Sequence, residues 1–254
     1  MSKLEAKIAI VTGGGSGIGQ AISELFAQEG ATVHILDLNA EGGNMVVQNI
    51  IAAGGKAHLH VCSVSNQDEL LNVVNKIAKV DVLVNNAGIA HVGNLEQCAA
   101  QDFNKVFDVN VKGAYNALYA CIPMMKQQGA GVILNLASIA ALVGISDRFA
   151  YSMSKGAIHA MSMSVARDYM KYNIRSNSIS PARVHTPFVD GFIAKNYPGK
   201  EVEMFEKLSD SQPIGRMAKP EEIAKLALFL CSDDAAFITG NDYPIDGGFI
   251  KLNN

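Results

Sequence analysis

The feature that most constrains this chain is the regular alternation of short apolar runs with longer amphipathic segments. The short runs are rich in β-branched residues and span 7–12, 32–37, 56–61, 80–84, 131–137 and 174–180. Runs that are apolar throughout are typical of parallel strands buried on both faces. The segments between them, 17–28, 40–53, 67–78, 101–127 and 151–171, predict helices. The alternation predicts an α/β fold, a doubly wound parallel sheet flanked by helices on both faces.

The alternation breaks after Ser180, where prolines interrupt a long irregular segment. In a compact domain such a segment is more often functional than structureless, so we expect a substrate lid near 182–215. A last helix at 221–230 and a short strand at 243–245 follow. The sequence contains no linker and no internal repeat, and we expect residues 1–254 to form a single domain.

Charged residues make up only 18% of the chain, and the net charge is −3. A soluble domain usually has roughly 25% charged residues, and this scarcity argues against a nucleic-acid binder or a polybasic membrane-surface protein. It also suggests that part of the surface is covered in an oligomer. The four cysteines show neither a disulfide nor a metal-binding pattern, so no metal is expected. Without a signal peptide or an apolar stretch of ~18–20 residues, the expected location is cytoplasmic, with no membrane partner.

A glycine-rich loop joins the first predicted strand to the first helix. It contains Gly13, Ser16, Gly17, Ile18 and Gly19. Glycines allow a sharp turn and a close approach to a pyrophosphate, which then binds the amides of the helix N-terminus. An ordinary tight turn is the alternative, but the position between strand and helix favours dinucleotide binding. The G-x-x-x-G-x-G spacing differs from G-x-G-x-x-G, which indicates another branch of dinucleotide binders.

Asp37 ends the second predicted strand, about 20 residues past the glycine loop. A carboxylate there can accept hydrogen bonds from the adenosine ribose hydroxyls, and it repels a 2′-phosphate. Neither Ser16 nor residues 36–40 supply the Arg or Lys that NADP needs. The sequence therefore favours NAD as the cofactor, although Asp37 could also only cap a turn.

Tyr151 and Lys155 are four residues apart on a predicted helix, so their side chains lie on the same face. An ammonium near a phenol favours the phenolate, and we expect Lys155 to lower the pKa of Tyr151. A phenol tuned in this way can take a proton from an alcohol. Ser138 and the segment 85–88 follow the fifth and fourth strands, which brings them to the same sheet edge.

Seven motifs in order give the chain a recognisable pattern. They are TGGGSGIG at 12–19, NNAG at 85–88, DVNVKG around Asn110, LASIA around Ser138, YSMSK at 151–155, SPARVHTP from Ser180, and ITGNDYPIDGG ending at Gly248. Over essentially its whole length the sequence resembles the short-chain dehydrogenase/reductase family. The resemblance implies a single Rossmann-type domain and an oxidoreductase that acts on CH–OH groups.

The resemblance also implies roles for individual residues. Tyr151 is the general acid/base, Lys155 tunes it and holds the nicotinamide ribose, Ser138 orients the substrate oxygen, and Asn110 supports a water-linked proton relay to Lys155. Val184 and Thr186 hold the carboxamide. The cofactor set is completed by the glycine loop and by Asp37, Ser63, Val64, Asn86, Ala87 and Gly88.

Two positions depart from the family pattern. Ser63 stands where an acidic residue usually holds the adenine amine, and its hydroxyl can still accept that bond. Ala182 follows Pro181 where a glycine is usual, which suggests a different backbone path at the lid.

The substrate is predicted from the arginines, of which the chain has only five. Arg148 precedes Tyr151 by three residues and Arg183 follows Pro181. Because a guanidinium matches a carboxylate, we expect a small acidic substrate, although each arginine could instead form a local ion pair. His91 and His185 could also line the pocket, or be solvated.

Finer resemblances point the same way. The arginine before the tyrosine is similar to cytosolic hydroxybutyrate dehydrogenases, where it holds the substrate carboxylate. The segment from Pro181 to Glu201 resembles 2-keto-3-deoxy-L-fuconate dehydrogenases. We therefore expect NAD-dependent oxidation of a keto-deoxy sugar acid or hydroxy acid. The alternatives are a 3-oxoacyl-carrier-protein reductase and a non-catalytic, NAD-bound scaffold. Family resemblance and the long helices at 101–127 and 151–171 imply a homotetramer.

Overall fold

The strands form one sheet, and along the chain they alternate with helices as predicted. In the computed structural model, which describes residues 2–252, the strands are β1 Ile8–Thr12, β2 Thr32–Asp37, β3 Lys56–Val61, β4 Val82–Asn85, β5 Gly131–Leu136, β6 Ile174–Pro181 and β7 Asp242–Ile245. All six neighbouring pairs are parallel, in the order β3-β2-β1-β4-β5-β6-β7. This confirms the predicted fold class.

Helices cover both faces of the sheet. They are α1 Gly17–Gln28, α2 Ala40–Ala52, α3 Gln67–Val74, α4 Ala100–Val106, α5 Gly113–Gln128, α6 Phe149–Tyr169, α7 Pro187–Asn196, α8 Glu201–Asp210, α9 Pro220–Cys231 and α10 Phe249–Leu252. Consecutive strand residues point to opposite faces, so Val11 and Ile35 enter one buried cluster while Ile10 and Leu36 enter another. Both clusters are apolar, which explains why the strands are apolar throughout.

The strand order reverses between β1 and β4 at the centre of the sheet. The loops after these two strands leave in opposite directions and open a crevice at the carboxyl edge, where α/β proteins bind ligands. The glycine loop follows β1 and the segment 86–88 follows β4. Topology therefore brings the predicted cofactor residues together.

The predicted helix at 101–127 is wrong in one respect, because it is not continuous. α4 and α5 are separated by a π-helical turn, Phe107–Lys112, and the N–H of Gly113 bonds to the carbonyl of Asp108, five residues back. Asn110, inside this turn, exchanges two hydrogen bonds with the backbone of Ile89. These long-range bonds hold the wide turn, and helical periodicity cannot reveal them.

Other boundaries differ by a few residues. β4 begins at Val82, α3 ends at Val74, and α6 begins at Phe149, two residues before the expected start. The lid contains two ordered helices, α7 and α8, where the prolines predicted an irregular and only partly helical segment. Pro187 is compatible with this because it occupies the first turn of α7, where no N–H is needed. None of the helices between residues 2 and 252 is long and apolar enough to cross a bilayer.

Candidate active site

The glycine loop adopts a conformation that requires glycine at several positions. Gly13 and Gly17 have φ angles of +64° and +53°, in the left-handed region that side chains disfavour. A Cβ on Gly19 would lie 2.0 Å from the carbonyl oxygen of Gly13 and 2.5 Å from Nδ2 of Asn86. The loop is thus a tight cradle of backbone at the N-terminus of α1, the arrangement that binds a pyrophosphate.

Hydrogen bonds between the end of β1 and the segment after β4 hold this cradle in place. The hydroxyl oxygen of Thr12 accepts hydrogen bonds from the N–H groups of Asn86 and Ala87, both at 3.1 Å. Nδ2 of Asn86 donates to the carbonyl oxygens of Thr12 and Gly13, at 3.1 and 3.0 Å. The segment 86–88 therefore joins β4 to the glycine loop.

Asp37 lies at the edge of the same cradle. Its carboxylate accepts hydrogen bonds from the N–H of Gly15 and from the N–H of Asn39, both at 2.9 Å. A Cβ on Gly15 would lie 2.9 Å from the carboxylate, so the loop passes directly beside the charge. A negative charge fixed at this position can bind hydroxyl groups and repels a phosphate.

Ser63 and Val64 follow β3 at the same sheet edge. The hydroxyl of Ser63 is hydrogen-bonded to the hydroxyl of Ser65 at 2.8 Å, and the backbone N–H of Ser63 donates to the carboxylate of Glu69. The carbonyl of Val64 accepts a bond from Nδ2 of Asn116, at 2.9 Å. The Ser63 hydroxyl can still accept a further bond, since each hydroxyl oxygen has two lone pairs.

Tyr151 and Lys155 lie on successive turns of α6, as predicted. Nζ of Lys155 lies 5.7 Å from the centre of the Tyr151 ring and donates to the carbonyl of Leu136 at 2.7 Å. Ser138, directly after β5, is hydrogen-bonded to the phenol of Tyr151. The three side chains come from two elements that pack together at the carboxyl edge of the sheet.

The pKa of Tyr151 shifts in the direction opposite to the one expected, and the shift comes from burial rather than from Lys155. Burial raises the pKa of Tyr151, while the hydrogen bond with Ser138 and the charge of Arg148 act in the opposite direction without overcoming it. Burial also lowers the pKa of Lys155 to about 8. Both shifts have the same cause, since a buried site disfavours the phenolate as well as the ammonium. Sequence spacing could not reveal that Lys155 is buried and that Tyr151 is partly buried.

Asn110 is buried beside this group, with its side chain fully engaged. Its Oδ1 accepts from the N–H of Ile89 at 2.8 Å, and its Nδ2 donates to the carbonyl of Ile89 and to the hydroxyl of Ser154, both at 2.9 Å. A Cβ on Gly88 would lie 3.3 Å from Oδ1 of Asn110 and 3.7 Å from Nζ of Lys155. Asn110 therefore joins the loop after β4 to the catalytic helix, and its expected part in a proton relay stays a prediction.

The start of the lid lies over the glycine loop. Val184 forms a bridge with Ala218, because the N–H of His185 donates to the carbonyl of Ala218 and the N–H of Ala218 donates to the carbonyl of Arg183, both at 2.9 Å. Thr186 precedes α7, and its methyl group would lie 3.3 Å from a Cβ on Gly17. Thr186 thus lies against the glycine loop, and the carboxamide contacts of Val184 and Thr186 stay predictions.

Arg148 and Arg183 are close enough for their charges to interact. Burial and the charge of Arg148 both lower the pKa of Arg183. The guanidinium of Arg148 donates to the carbonyl of Asp147 at 3.0 Å and lies 5.9 Å from the ring centre of Phe192, on α7. Nε of Arg183 donates to the hydroxyl of Ser211 at 3.0 Å. The charge of Arg148 also acts on the phenol of Tyr151 and lowers its pKa, although less than burial raises it.

Neither of these arginines forms an ion pair with a carboxylate of residues 2–252. Arg216 differs, because its two terminal nitrogens bond to both oxygens of Glu222 at 2.7 and 2.8 Å. The local ion pair that sequence analysis left open is therefore absent for Arg148 and Arg183 among the described residues. Their cationic groups have only neutral partners.

Arg183 also lines an open cavity, together with Gln212, Ile214, Gly247 and the charged residues Arg216, Glu222 and Asp246. His91 and His185 differ in their surroundings. Nε2 of His91 lies 3.6 Å from the carboxylate of Asp102, and its Nδ1 is buried without a partner. His185 is half exposed, and it bonds to Asp190 at 2.9 Å. Sequence analysis missed Phe192, Ser211 and Gln212, because no pattern in the lid distinguishes them.

A doubly wound sheet with a backbone cradle at its switch point and a tyrosine–lysine pair beside it defines a dinucleotide-dependent oxidoreductase. The chain belongs to the short-chain dehydrogenase/reductase family, whose members use nicotinamide cofactors. A family model described as enoyl-(acyl carrier protein) reductase matches residues 13–250.

The relatives act on varied substrates. The chain is 35% identical to a 3-oxoacyl-[acyl-carrier-protein] reductase of Thermotoga maritima, over 98% of this chain and 99% of that one. It is 34% identical to the cyclohexanol dehydrogenase of an Acinetobacter species, over 98% and 96% of the two chains. The crystal structure of L-sorbose reductase from Gluconobacter frateurii, complexed with NADPH and L-sorbose, superposes with a TM-score of 0.93 at 29% identity, over 99% of both chains.

Proposed function

We propose that this protein is an NAD-dependent oxidoreductase that interconverts a secondary alcohol and a ketone on a small acidic substrate. The observation that carries the proposal is a pair of guanidinium groups that have no carboxylate partner among residues 2–252: Arg148, whose charge acts on Tyr151, and Arg183, whose charge interacts with that of Arg148. A buried or half-buried cation is costly without a counter-ion, and a substrate carboxylate supplies one through paired hydrogen bonds.

The cofactor assignment rests on Asp37 and on the glycine cradle. The proposed contacts are Gly13, Ser16, Gly17, Ile18 and Gly19 for the pyrophosphate, Asp37 for the ribose, Ser63 and Val64 for the adenine, and Asn86, Ala87, Gly88, Tyr151, Lys155, Val184 and Thr186 for the nicotinamide half. The residues fit a dinucleotide, since a single Cβ at Gly19 would fill the cradle. Bound NAD supplies a hydride acceptor, and the carboxylate of Asp37 disfavours the 2′-phosphate of NADP.

The catalytic residues are assigned roles according to their protonation states. Because burial raises the pKa of Tyr151, the phenol is protonated at neutral pH and is ready to donate its proton to a ketone oxygen. Oxidation requires the phenolate, which the nearby Lys155 favours whenever it carries its proton. Ser138 holds the substrate oxygen beside the phenol, and Asn110 fixes the helix that carries both Tyr151 and Lys155.

For the substrate we propose a keto-deoxy sugar acid, similar to 2-keto-3-deoxy-L-fuconate, or a short hydroxy acid. Arg148 binds the carboxylate, while Arg183 and the adjoining cavity receive the rest of the molecule, with His91 as a further contact. We also propose that the enzyme is a cytoplasmic homotetramer. The exposed apolar side chains of α5 and α6, including Tyr115, Tyr119 and Met163, support this association.

A 3-oxoacyl-carrier-protein reductase is the second candidate, and the relative of that name at 35% identity favours it. The two candidates differ in cofactor, because the reductase is expected to prefer NADPH. They also differ in substrate, since a carrier-linked thioester presents no free carboxylate near the reacting carbon. Asp37 and the two unpaired arginines favour the acid-specific dehydrogenase.

The test is a panel of sugar acids and short hydroxy acids, assayed separately with NAD and NADP by the absorbance of the reduced cofactor. We expect turnover of at least one acid with NAD and a much lower kcat/KM with NADP. Preference for NADPH and for 3-oxoacyl thioesters would instead support the second candidate. Binding of NAD without turnover of any alcohol or acid would support a non-catalytic scaffold.

A further inference from the structure

Two segments of the active-site rim are joined by backbone hydrogen bonds next to Arg148. The N–H of Gly93 donates to the carbonyl of Asp147 at 2.9 Å, and the N–H of Phe149 donates to the carbonyl of Gly93 at 3.2 Å. Gly93 and Arg148 thus form an isolated parallel bridge. The bridge fixes the backbone on both sides of Arg148, immediately before the catalytic helix α6 begins.

The segment 88–93 runs along the first turns of this helix. At one end, a Cβ on Gly88 would lie 3.7 Å from Nζ of Lys155. At the other end, Gly93 pairs with Arg148. The bridge therefore connects the loop after β4, which contacts the catalytic lysine, to the arginine proposed to bind the substrate.

Asp147 has a left-handed backbone, with a φ angle of +57°. Its carbonyl oxygen accepts two bonds, one from the N–H of Gly93 and one from the guanidinium of Arg148 at 3.0 Å. One backbone atom thus holds both the loop and the cationic group. Such strained conformations persist only where the surrounding structure enforces them, and they occur frequently at functional sites.

Gly93 is buried and has no space for a side chain. A Cβ there would lie 2.9 Å from Cε1 of His91 and 3.2 Å from Cβ of Gln97. His91 is in turn held near Asp102, at the start of α4, and cannot move without breaking that contact. A larger residue at position 93 must therefore displace the ring of His91 from Asp102 or the loop from Asp147.

We propose that Asp147 and Gly93 are positioning residues that aim the guanidinium of Arg148 and thereby set the preference of the enzyme for acids over uncharged alcohols. The inference rests on the proposed function, because it assumes that Arg148 binds the substrate carboxylate. The left-handed conformation, rather than the Asp147 side chain, is what the site needs, since both bonds use the backbone oxygen.

The experiment compares kcat and KM for the best acid of the panel with those for its methyl ester, which lacks the charge. Gly93→Val is paired with Gly144→Val, because position 144 precedes the same helix and a Cβ there meets no atom within 4 Å. Asp147→Val is paired with Asp147→Gly, since glycine adopts a positive φ freely whereas a β-branched residue does not. Arg148→Met is measured alongside as a reference.

We expect Gly93→Val and Asp147→Val to raise KM for the acid by about tenfold, equivalent to about 1.4 kcal/mol, with kcat and the ester kinetics changed less than threefold. Gly144→Val and Asp147→Gly are expected to keep the wild-type preference. The inference is overturned if Arg148→Met loses acid preference while Gly93→Val and Asp147→Val retain it, or if Asp147→Gly loses it as fully as Asp147→Val. If Arg148→Met itself leaves the preference unchanged, or if no acid of the panel is oxidised, the proposed function fails instead.

Discussion

The cofactor half and the substrate half of the site are built in different ways. Around the glycine loop, polar groups bond to one another: Thr12 to Asn86 and Ala87, and Asp37 to Gly15. Around Arg148 and Arg183, the guanidinium groups bond to a backbone carbonyl and a hydroxyl, and no carboxylate of residues 2–252 pairs with them. The first half is held by hydrogen bonds within the protein, whereas we propose that the second keeps its charge for a ligand.

If the proposed function is correct, the difference indicates where substrate specificity is determined. The glycine cradle, whose hydrogen bonds are complete within the protein, is suited to the dinucleotide that members of the family have in common. Charged groups without a counter-ion recognise what distinguishes one substrate from another, since a ligand that lacks the matching charge leaves them unpaired. Substitutions in the two halves should therefore differ in kind as well as in size.

The largest expected effect is that of Gly19→Ala in the cofactor half. Its Cβ would overlap the carbonyl of Gly13, with only 2.0 Å between the atoms. We expect a loss of about 3 kcal/mol or more in the free energy of unfolding and loss of measurable NAD binding, because backbone cannot yield as a side chain can. Denaturant unfolding and titration with NAD measure the two effects.

Gly156→Ala on α6 is the matched control, because a Cβ there meets no atom within 4 Å. It should leave NAD binding unchanged and stabilise the helix by about 0.5–1 kcal/mol. If Gly19→Ala behaved like this control, the cofactor half would not be the rigid cradle described above.

Lys155→Met should lower turnover about 1,000-fold or more. It should also reveal how much the burial of the lysine changes the free energy of unfolding. The pKa of Lys155 is about 8 in the folded protein against 10.5 for an unperturbed lysine. Between these values the unfolded chain keeps a proton that the folded protein has lost, so wild-type stability rises with pH relative to the variant. Below about pH 8 both states are protonated, and the difference between the two proteins is constant.

The measurement is the free energy of unfolding of both proteins from pH 7 to 10.5. The full gain expected for the wild type relative to Lys155→Met is about 3 kcal/mol, since one pKa unit corresponds to about 1.4 kcal/mol. Two parallel pH profiles would show that Lys155 is not shifted by burial. A gap that changed in the opposite direction would show that the ammonium is stabilised instead.

These contrasts also explain how much the sequence could predict. The fold, the glycine loop and the pairing of Tyr151 with Lys155 follow from local rules, because periodicity, turns and helix spacing are encoded in neighbouring residues. The direction of the Tyr151 pKa shift does not, since it depends on burial by distant segments. The π-helical turn at 107–112 depends likewise on bonds from Asn110 to Ile89, which lies 21 residues earlier.

In the substrate half, the sequence identified Arg148 and Arg183 but not what holds them. Ser211 lies on the far side of the lid, 28 residues from Arg183. Gly93 lies 54 residues before Asp147, and no pattern links the two. Contacts between loops depend on tertiary structure, and the neighbouring residues in the sequence do not encode them.

A smaller effect is expected for Asp37→Ser. Loss of charged hydrogen bonds to the ribose costs about 1.5–3 kcal/mol, so KM for NAD should rise roughly 10- to 100-fold. KM for NADP should change less or fall, because the repulsion of its 2′-phosphate is removed. Steady-state kinetics with both cofactors provide the comparison. Thermal unfolding checks that the variant remains folded without the bonds from Asp37 to the glycine loop. Equal changes in KM for the two cofactors would contradict the proposal that Asp37 sets the preference for NAD.

The most direct test of the account is the preference of the enzyme for an acid over its methyl ester, measured in the wild type and in Arg148→Met. Arg167→Met is the matched control, because Arg167 is exposed in the last turn of α6 and its guanidinium bonds to the sulfur of Met170. We predict that Arg148→Met lowers kcat/KM for the acid about 10- to 100-fold, the value of a charge-assisted bond, while the ester and the control variant stay near wild type. Equal losses for acid and ester in Arg148→Met would contradict the proposal that this arginine binds a substrate carboxylate.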